Sequence, residues 1–81
     1  MTRLPRDVSG EYLAGSLTRL GYAVTRQRGS HMRLTTTVGG QHHLSVPRQD
    51  SLHTGLLAAL LADVAAHFGI SRDELLDRLF S

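Results

Sequence analysis

One histidine has neighbours that suit phosphodiester chemistry: His31, which follows the dipeptide Gly29-Ser30. An imidazole titrates near neutral pH, so it can accept the proton of a ribose 2′-hydroxyl as a general base. Arg28 and Arg33 are close to His31 in the chain, and guanidinium groups bind phosphate and balance the charge that develops on it. An ordinary surface histidine beside a turn is the alternative, so the catalytic interpretation depends on where the fold places His31.

The remaining histidines give weaker patterns. His42 and His43 are adjacent in a β-rich run, so their side chains are expected on opposite faces and cannot bind one metal ion together. No His, Cys or Glu spacing supplies the ligands of a zinc site, and we predict no metal and no small-molecule cofactor. His43 is expected on the face of His31, as an RNA ligand, an acid partner or a plain surface residue. Arg48 lies in a polar connection where it can contact phosphate.

The charge of the chain is unevenly distributed. All nine basic residues are arginine, and there are seven acidic residues. Residues 1–33 have six arginines and two acids, a net charge of +4, whereas residues 34–81 have a net charge of −2. Guanidinium groups suit bidentate phosphate contacts, so the basic half is a candidate nucleic-acid footprint, with a solvated surface as the alternative.

Length and composition predict a single domain over residues 1–81, with residues 1–8 as an N-terminal arm. The absence of cysteine fits a reducing cytoplasm. The N-terminus lacks the pattern of a signal peptide, and the longest apolar stretch, near residues 56–68, is interrupted by Asp63 and His67. We therefore expect a cytoplasmic protein with no membrane partner.

Three segments have the apolar spacing of amphipathic helices, and each is bounded by residue types that cap or end helices. Helix one is expected over residues 10–20, and a longer second helix and a short third helix follow after residue 53. The predicted caps and stops are Ser9 and Gly21 for helix one, Thr54 and Gly69 for helix two, and Ser71 before a start at Arg72 for helix three.

Three β-rich runs, over residues 22–28, 31–37 and 42–46, predict an antiparallel sheet. A two-residue loop of Gly29 and Ser30 would pair Met32 with Gln27 and mix the faces of the sheet. A three-residue loop that includes Arg28 pairs Leu34 with Val24 instead, and we predict it because it places the apolar side chains on one face. The residues then expected on the open face are Thr25, Gln27, His31, Arg33 and Thr35, while Arg26 falls on the apolar face.

The predicted class is α+β, in the order α-β-β-β-α with an additional short C-terminal helix, and the helices cover one face of the sheet. Several stretches resemble the HicA family of bacterial toxins, also called mRNA interferases. The resemblance covers residues 8–80, and residues 21–31 are its most specific part; the other matching stretches are Ser9-Gly10-Glu11, His43–Arg48 and Thr54-Gly55. It implies a double-stranded-RNA-binding-like fold, cleavage of mRNA without the ribosome, and neutralisation by a HicB-type antitoxin.

The essential histidine of the family corresponds to His31, and its usual basic residue before the glycine corresponds to Arg28. We therefore predict a metal-independent endoribonuclease with His31 as the catalytic residue. The predicted RNA-binding residues are Arg28, Gly29, Ser30, Arg33, Arg48 and His43.

Two alternatives stay open. One is a non-catalytic RNA-binding module of the same fold. The other is a DNA-binding helix-turn-helix, since residues 65–72 resemble the turn of that motif. Asp73, Glu74 and Asp77 in the would-be recognition helix argue against DNA binding, because they would face phosphates.

Overall fold

The structure, a computed structural model, describes residues 4–80, so residues 1–3 of the predicted arm and residue 81 lie outside the described residues. Its element order confirms the predicted α-β-β-β-α-α arrangement. The elements are α1 (Gly10–Leu17) with a following 3-10 turn (Thr18–Leu20), β1 (Ala23–Arg28), β2 (His31–Thr36), β3 (His42–Pro47), α2 (Thr54–Phe68) and α3 (Arg72–Phe80). The antiparallel sheet has the order β1-β2-β3, which together with the helices gives the predicted α+β class.

The first helix begins and ends as predicted. The Ser9 hydroxyl accepts a hydrogen bond from the backbone N–H of Tyr12 at 2.9 Å, which satisfies one of the unpaired donors at the helix start. The predicted last turn forms as a 3-10 turn, and Gly21 then ends the segment with a φ of 85°. A left-handed residue after the last turn is the usual helix stop, and it is open to glycine without steric cost.

The cap of the second helix differs from the prediction. His53 is the N-cap of α2, and Thr54 is already the first helical residue. The backbone of His53 is extended, so its Nδ1 can accept a hydrogen bond from the N–H of Leu56, at 3.2 Å. The imidazole nitrogen thus caps the helix in the way that a side-chain hydroxyl usually does. Gly69 ends α2 in the left-handed conformation, as predicted.

The third helix is capped as predicted, because the Ser71 hydroxyl accepts from the N–H of Glu74 at 3.1 Å. The core lies between the helices and one face of the sheet, where burial of apolar surface provides most of the stabilisation. It is formed by the leucine stripes of the three helices together with Met32, Leu34, Leu44 and Val46 from the sheet. Within residues 4–80, no single helix is long and apolar enough to cross a membrane; α2 and α3 meet that test only as a pair bent by 102°.

The β1–β2 hairpin differs from the prediction at its turn. Gly29 and Ser30 alone form the loop, so the predicted three-residue loop is wrong. The pairing then shifts by one residue at a bulge between Val24 and Arg26, and this restores the predicted pair of Val24 and Leu34. The register is Arg28 with His31, Gln27 with Met32, Arg26 with Arg33, Val24 with Leu34, and Ala23 with Thr35. The extra residue is thus taken up by the strand and not by the turn.

The shorter loop exchanges two side chains between the faces of the sheet. Residues paired across strands share a face, so Arg26 lies with Arg33 on the open face and Gln27 with Met32 on the helix-covered face. The prediction had the reverse. Gly29 has a φ of 55°, and positive φ at the first loop residue but not at the second is the pattern of a type II′ turn. This turn type matches the twist of the strands, which favours the two-residue loop.

At the far end of the sheet, His42 and His43 point to opposite faces, as predicted. The buried Tyr22 donates its hydroxyl hydrogen to Nδ1 of His42, at 2.7 Å. Nε2 of His42 lies 3.2 Å from an Asp63 carboxylate oxygen, so the tautomer with a hydrogen on Nε2 satisfies both contacts. His42 also stacks on His67, whose Nε2–H donates to the Val38 carbonyl oxygen. These contacts join the sheet, the β2–β3 turn and α2.

This arrangement predicts a loss of stability in alkali. Burial, and then the negative Asp63, raise the pKa of Tyr22 to about 12. The unfolded phenol titrates near pH 10, so from about pH 10 to 12 the unfolded state loses its proton first and the free energy of unfolding falls. The chain has no lysine, so few other groups titrate in this window. Urea unfolding measured across this pH window should show the fall in unfolding free energy in wild type and in Tyr12→Phe, because the Tyr12 ring is exposed. Tyr22→Phe should not show it. An equal fall in all three proteins would contradict this.

Candidate functional site

The open face of the sheet carries the predicted catalytic residue. The cross-strand register arranges this face in three rows, counted from the hairpin turn. The rows are Arg28, His31 and Pro47; then Arg26, Arg33 and Ser45; then Ala23, Thr35 and His43. His31 is exposed and lies directly opposite Arg28. Arg33, in the next row, is two residues further along the same strand as His31.

The ionisable side chains of this face are all basic. The three strands contain no aspartate or glutamate. In the part of the chain that the structure describes, the exposed side chains of Arg26, Arg28, Arg33 and His31 form no hydrogen bond or ion pair. Arg26 opposite Arg33 is a pair of like charges, which costs a sheet a few tenths of a kcal/mol to about 1 kcal/mol. A bound polyanion would remove this repulsion.

The fold brings most of the predicted site residues to one end of the sheet. Gly29 and Ser30 form the turn between Arg28 and His31. Arg48 joins them, because its backbone N–H donates to the Ser30 carbonyl oxygen at 2.6 Å. Residues that are 18 positions apart in the chain thus meet beside the hairpin turn.

His43 does not join this group. It pairs with Thr35, which is four residues beyond His31 on β2, and a strand rise of about 3.3 Å per residue puts the two histidines ~13 Å apart. A base and an acid that act at one phosphate contact two oxygens of the same phosphorus, and a separation of ~13 Å along the strand is too long for that, so the register argues against His43 as the acid partner of His31. The contact of His43 with another part of an RNA stays a prediction.

Two threonines that the sequence pattern did not single out hold the His43 ring. The Thr35 hydroxyl lies 2.8 Å from Nδ1 of His43 and 2.9 Å from the Thr25 hydroxyl. Thr25 in turn donates to the Arg33 carbonyl oxygen at 3.3 Å. Both threonines lie on the open face, as predicted, but with the two-residue loop Thr25 reaches that face through the bulge and not through the regular alternation of the strand.

Arg48 is held by a carboxylate that the sequence analysis also missed. Its Nε donates to Glu11 of α1 at 2.9 Å, and a terminal guanidinium nitrogen makes a second bond to the same oxygen. The pair lies at a polar cleft of about 450 Å³ between the hairpin turn and the start of α1, which Gly29 and Ser30 also line. The only sequence signal was an acid in the first turn of a helix, which the helix dipole explains equally well.

Removing this carboxylate should strengthen RNA binding. In Glu11→Gln the Arg48 guanidinium is released and a negative charge leaves the cleft. Because both groups are exposed, the change in unfolding free energy should stay within about 1 kcal/mol. The log–log salt slope of binding to single-stranded RNA should steepen by about 0.7 for the added phosphate contact. Anisotropy titrations in a His31→Ala background, where cleavage is not expected, measure both quantities.

The chain offers a matched control for that measurement. Glu74 and Arg78 form a similar exposed pair on α3, away from the cleft. Glu74→Gln removes the same charge and should leave the salt slope unchanged. The same slope change in both variants would mean that only net charge matters and that Arg48 has no phosphate contact.

The helix-turn-helix alternative finds no support in α3. Leu75, Leu76 and Leu79 are buried in the core, so the apolar face of the helix is occupied. Its exposed face carries the acids named above and the Glu74–Arg78 ion pair. Such a surface repels phosphate. Among residues 4–80, no group of three or more His, Cys, Asp or Glu side chains is arranged to hold a metal ion.

The fold and its basic face define a small α+β domain with a cationic sheet surface. Residues 13–65 match the model of the family described as "HicA toxin of bacterial toxin-antitoxin". This match spans more than half of the chain, so the chain belongs to the HicA toxin family and is a toxin of a toxin–antitoxin system, which implies an antitoxin partner. A comparison with curated proteins found no match, and a comparison with solved structures found none either.

Proposed function

We propose that this toxin is an endoribonuclease that cleaves mRNA with His31 as its catalytic residue, and that a HicB-type antitoxin inhibits it in the bacterial cytoplasm. The observation that carries the proposal is the position of His31. It is exposed on a sheet face without acids, directly opposite Arg28 and one row from Arg33. An imidazole among free guanidinium groups combines a proton acceptor with phosphate ligands, and RNA cleavage needs both of these functions.

In the proposed reaction, the His31 imidazole takes the proton of a ribose 2′-hydroxyl. The 2′-oxygen attacks the adjacent phosphorus, the bond to the 5′-oxygen breaks, water protonates that leaving oxygen, and the His31 imidazolium releases its proton to solvent. The products are a 2′,3′-cyclic phosphate and a 5′-hydroxyl end. Arg28 and Arg33 balance the charge that builds up on the phosphate oxygens in the transition state. The nucleophile belongs to the RNA itself, so the scheme uses no metal ion.

The surrounding residues fit a role in holding the RNA. The turn of Gly29 and Ser30 presents backbone groups without bulky side chains beside the proposed scissile phosphate. Arg48 can contact the RNA backbone on the cleft side once its guanidinium is released from Glu11, and His43 contacts the backbone ~13 Å further along the sheet, by the strand rise. Contacts of this kind recognise the phosphates and the shape of the RNA and not its base edges, so the toxin should have a weak preference for RNA sequence.

Induced expression in a bacterial culture tests the proposal. Wild type should stop growth and produce new RNA ends in primer extension, whereas His31→Ala should do neither. His43→Ala removes the same side-chain type from the same face and should still produce new ends. If wild type and His31→Ala both stop growth without new ends, or if neither has an effect, the nuclease proposal is wrong.

One observation favours a second candidate, a non-catalytic RNA-binding module. Within residues 4–80 no protein group hydrogen-bonds to the His31 ring, whereas catalytic imidazoles are commonly oriented by a partner. If the toxin only binds RNA, purified protein leaves RNA intact, and His31→Ala weakens binding a little.

A further inference from the structure

Strand β1 lies at an open edge of the sheet. It pairs with β2 alone, and all six of its residues are exposed. Among the backbone hydrogen bonds that loops and turns make within residues 4–80, none reaches Ala23–Arg28. In a hairpin with a two-residue loop the pair flanking the loop is hydrogen-bonded and the next pair is not, so the N–H and C=O of Gln27 point away from β2. Free groups of this kind accept an added strand.

A groove runs beside this edge on the helix-covered side. Its volume is about 340 Å³, and it lies between α1 and β1, where Ala14, Val24 and Met32 form its apolar part. The paired Glu11 and Arg48 also line it. Val24 is 48% exposed, which is high for a valine on a core-facing side of a sheet. Gly15 leaves the helix wall open, because a Cβ placed there would meet no atom within 4 Å. The groove therefore has room for small apolar side chains.

The other side of the same edge is cationic. Arg26 and Arg28 lie there on the open face, with no carboxylate on the sheet. Side chains of an added strand alternate between the two faces. Every second residue would lie beside the arginines, and the residues between them would enter the groove.

We infer that the β1 edge and its groove bind an extended segment of the partner antitoxin in which acidic residues alternate with small apolar ones. The inference rests on membership of the toxin family and not on RNA cleavage. RNA would satisfy Arg26 and Arg28 but not the apolar groove or the free backbone groups. A second copy of the chain would bring like-charged edges together. The bulge limits the regular part of the edge to Arg26–Arg28, so binding depends on the groove and the charges more than on many backbone bonds.

The test uses the full chain and two synthetic octapeptides, one alternating glutamate with valine and one alternating lysine with valine. The acidic peptide should bind, should slow hydrogen exchange of the Gln27 amide, and should bind about tenfold or more tightly than the lysine peptide, which corresponds to about 1.4 kcal/mol. Gly15→Gln fills the groove without changing the charge and should weaken binding by a similar factor. Gly15→Ala is the matched control and should bind as wild type does.

The inference would be overturned by no binding of the acidic peptide, by equal binding of both peptides, or by undiminished binding to Gly15→Gln. Protection confined to β2 and β3 amides would also overturn it, since it would place the peptide on the open face. The open space at Gly15 means that both variants should fold, and circular dichroism checks this. No RNA is present, so the outcome is independent of whether the toxin proves to be a nuclease.

Discussion

Purified His31→Ala protein should cleave RNA about 10²- to 10⁴-fold more slowly than wild type, the usual contribution of a positioned general base. Its affinity for RNA should change little, because Arg28 and Arg33 still face the phosphate. Single-turnover cleavage of an end-labelled RNA at saturating protein measures the chemical step separately from binding. Wild type should keep its rate in EDTA, because the proposed scheme uses no metal ion.

His43→Ala is the matched comparison, since it removes an exposed imidazole from the same face at a distance of ~13 Å along the strand. It should weaken RNA binding and leave the single-turnover rate nearly unchanged. Equal losses of rate in the two variants would show that His31 has no special role. A wild-type rate that disappears in EDTA would contradict the metal-independent mechanism.

The elements of this fold could be predicted because their boundaries are set by local chemistry. Ser9, Ser71 and the two glycines after α1 and α2 act within four residues of the helix end that they define. The cap of α2 was mispredicted because the sequence rule for caps considers mainly residues with hydroxyl, carboxylate or amide side chains. Hydroxyl residues are the usual caps, and only the extended backbone of His53 shows that an imidazole takes this position.

The register of the hairpin could not be predicted, because two features compensate each other. A short loop and a bulge together give the same Val24–Leu34 pair as a long loop without a bulge. The pattern of apolar residues is satisfied by both solutions, and only the faces of Arg26 and Gln27 distinguish them. The difference matters for function, since it adds a third arginine to the open face.

The candidate site shows the same division between local and distant contacts. His31, Arg28 and the turn between them are neighbours in the chain, so one short motif predicts their meeting. The Glu11–Arg48 pair joins residues 37 positions apart, and it forms only because the start of α1 packs against the end of β3. No spacing rule gives such a contact, so Arg48 was predicted as a phosphate ligand without its carboxylate partner Glu11.

That packing depends on Gly10, and Gly10→Ala should therefore be strongly destabilising. Gly10 is buried at the start of α1, and its N–H donates to the Gln49 carbonyl oxygen at 2.9 Å. A Cβ at this position would lie 1.9 Å from the Pro47 carbonyl oxygen and 2.9 Å from its carbon. These are backbone atoms, which cannot rotate away, so relief requires the helix and the strand to separate. We expect a loss of about 3 kcal/mol, at the upper end for overpacked sites.

Thermal and urea unfolding measure this effect, and α1 contains its own control. For a domain of this size, a loss of about 3 kcal/mol corresponds to a fall in Tm of about 12–24 °C. Gly15→Ala makes the same chemical change five residues later, where a Cβ meets nothing, and should stabilise the helix by up to about 1 kcal/mol. Opposite signs in one helix would assign the loss to the contact with Pro47. The same sign in both variants would contradict that assignment.

The Gly10 contact also links stability to the site. Pro47 pairs with His31, so a shift of the β3 end moves the strand that flanks the proposed catalytic residue. Gly10→Ala should therefore lower the single-turnover cleavage rate even at temperatures where the variant is fully folded, because small displacements of a positioned group are costly in catalysis. A full wild-type rate in the folded variant would show that the turn and Arg28 alone position His31. A reduced rate would show that the close approach of α1 to β3 is part of what holds the site in place.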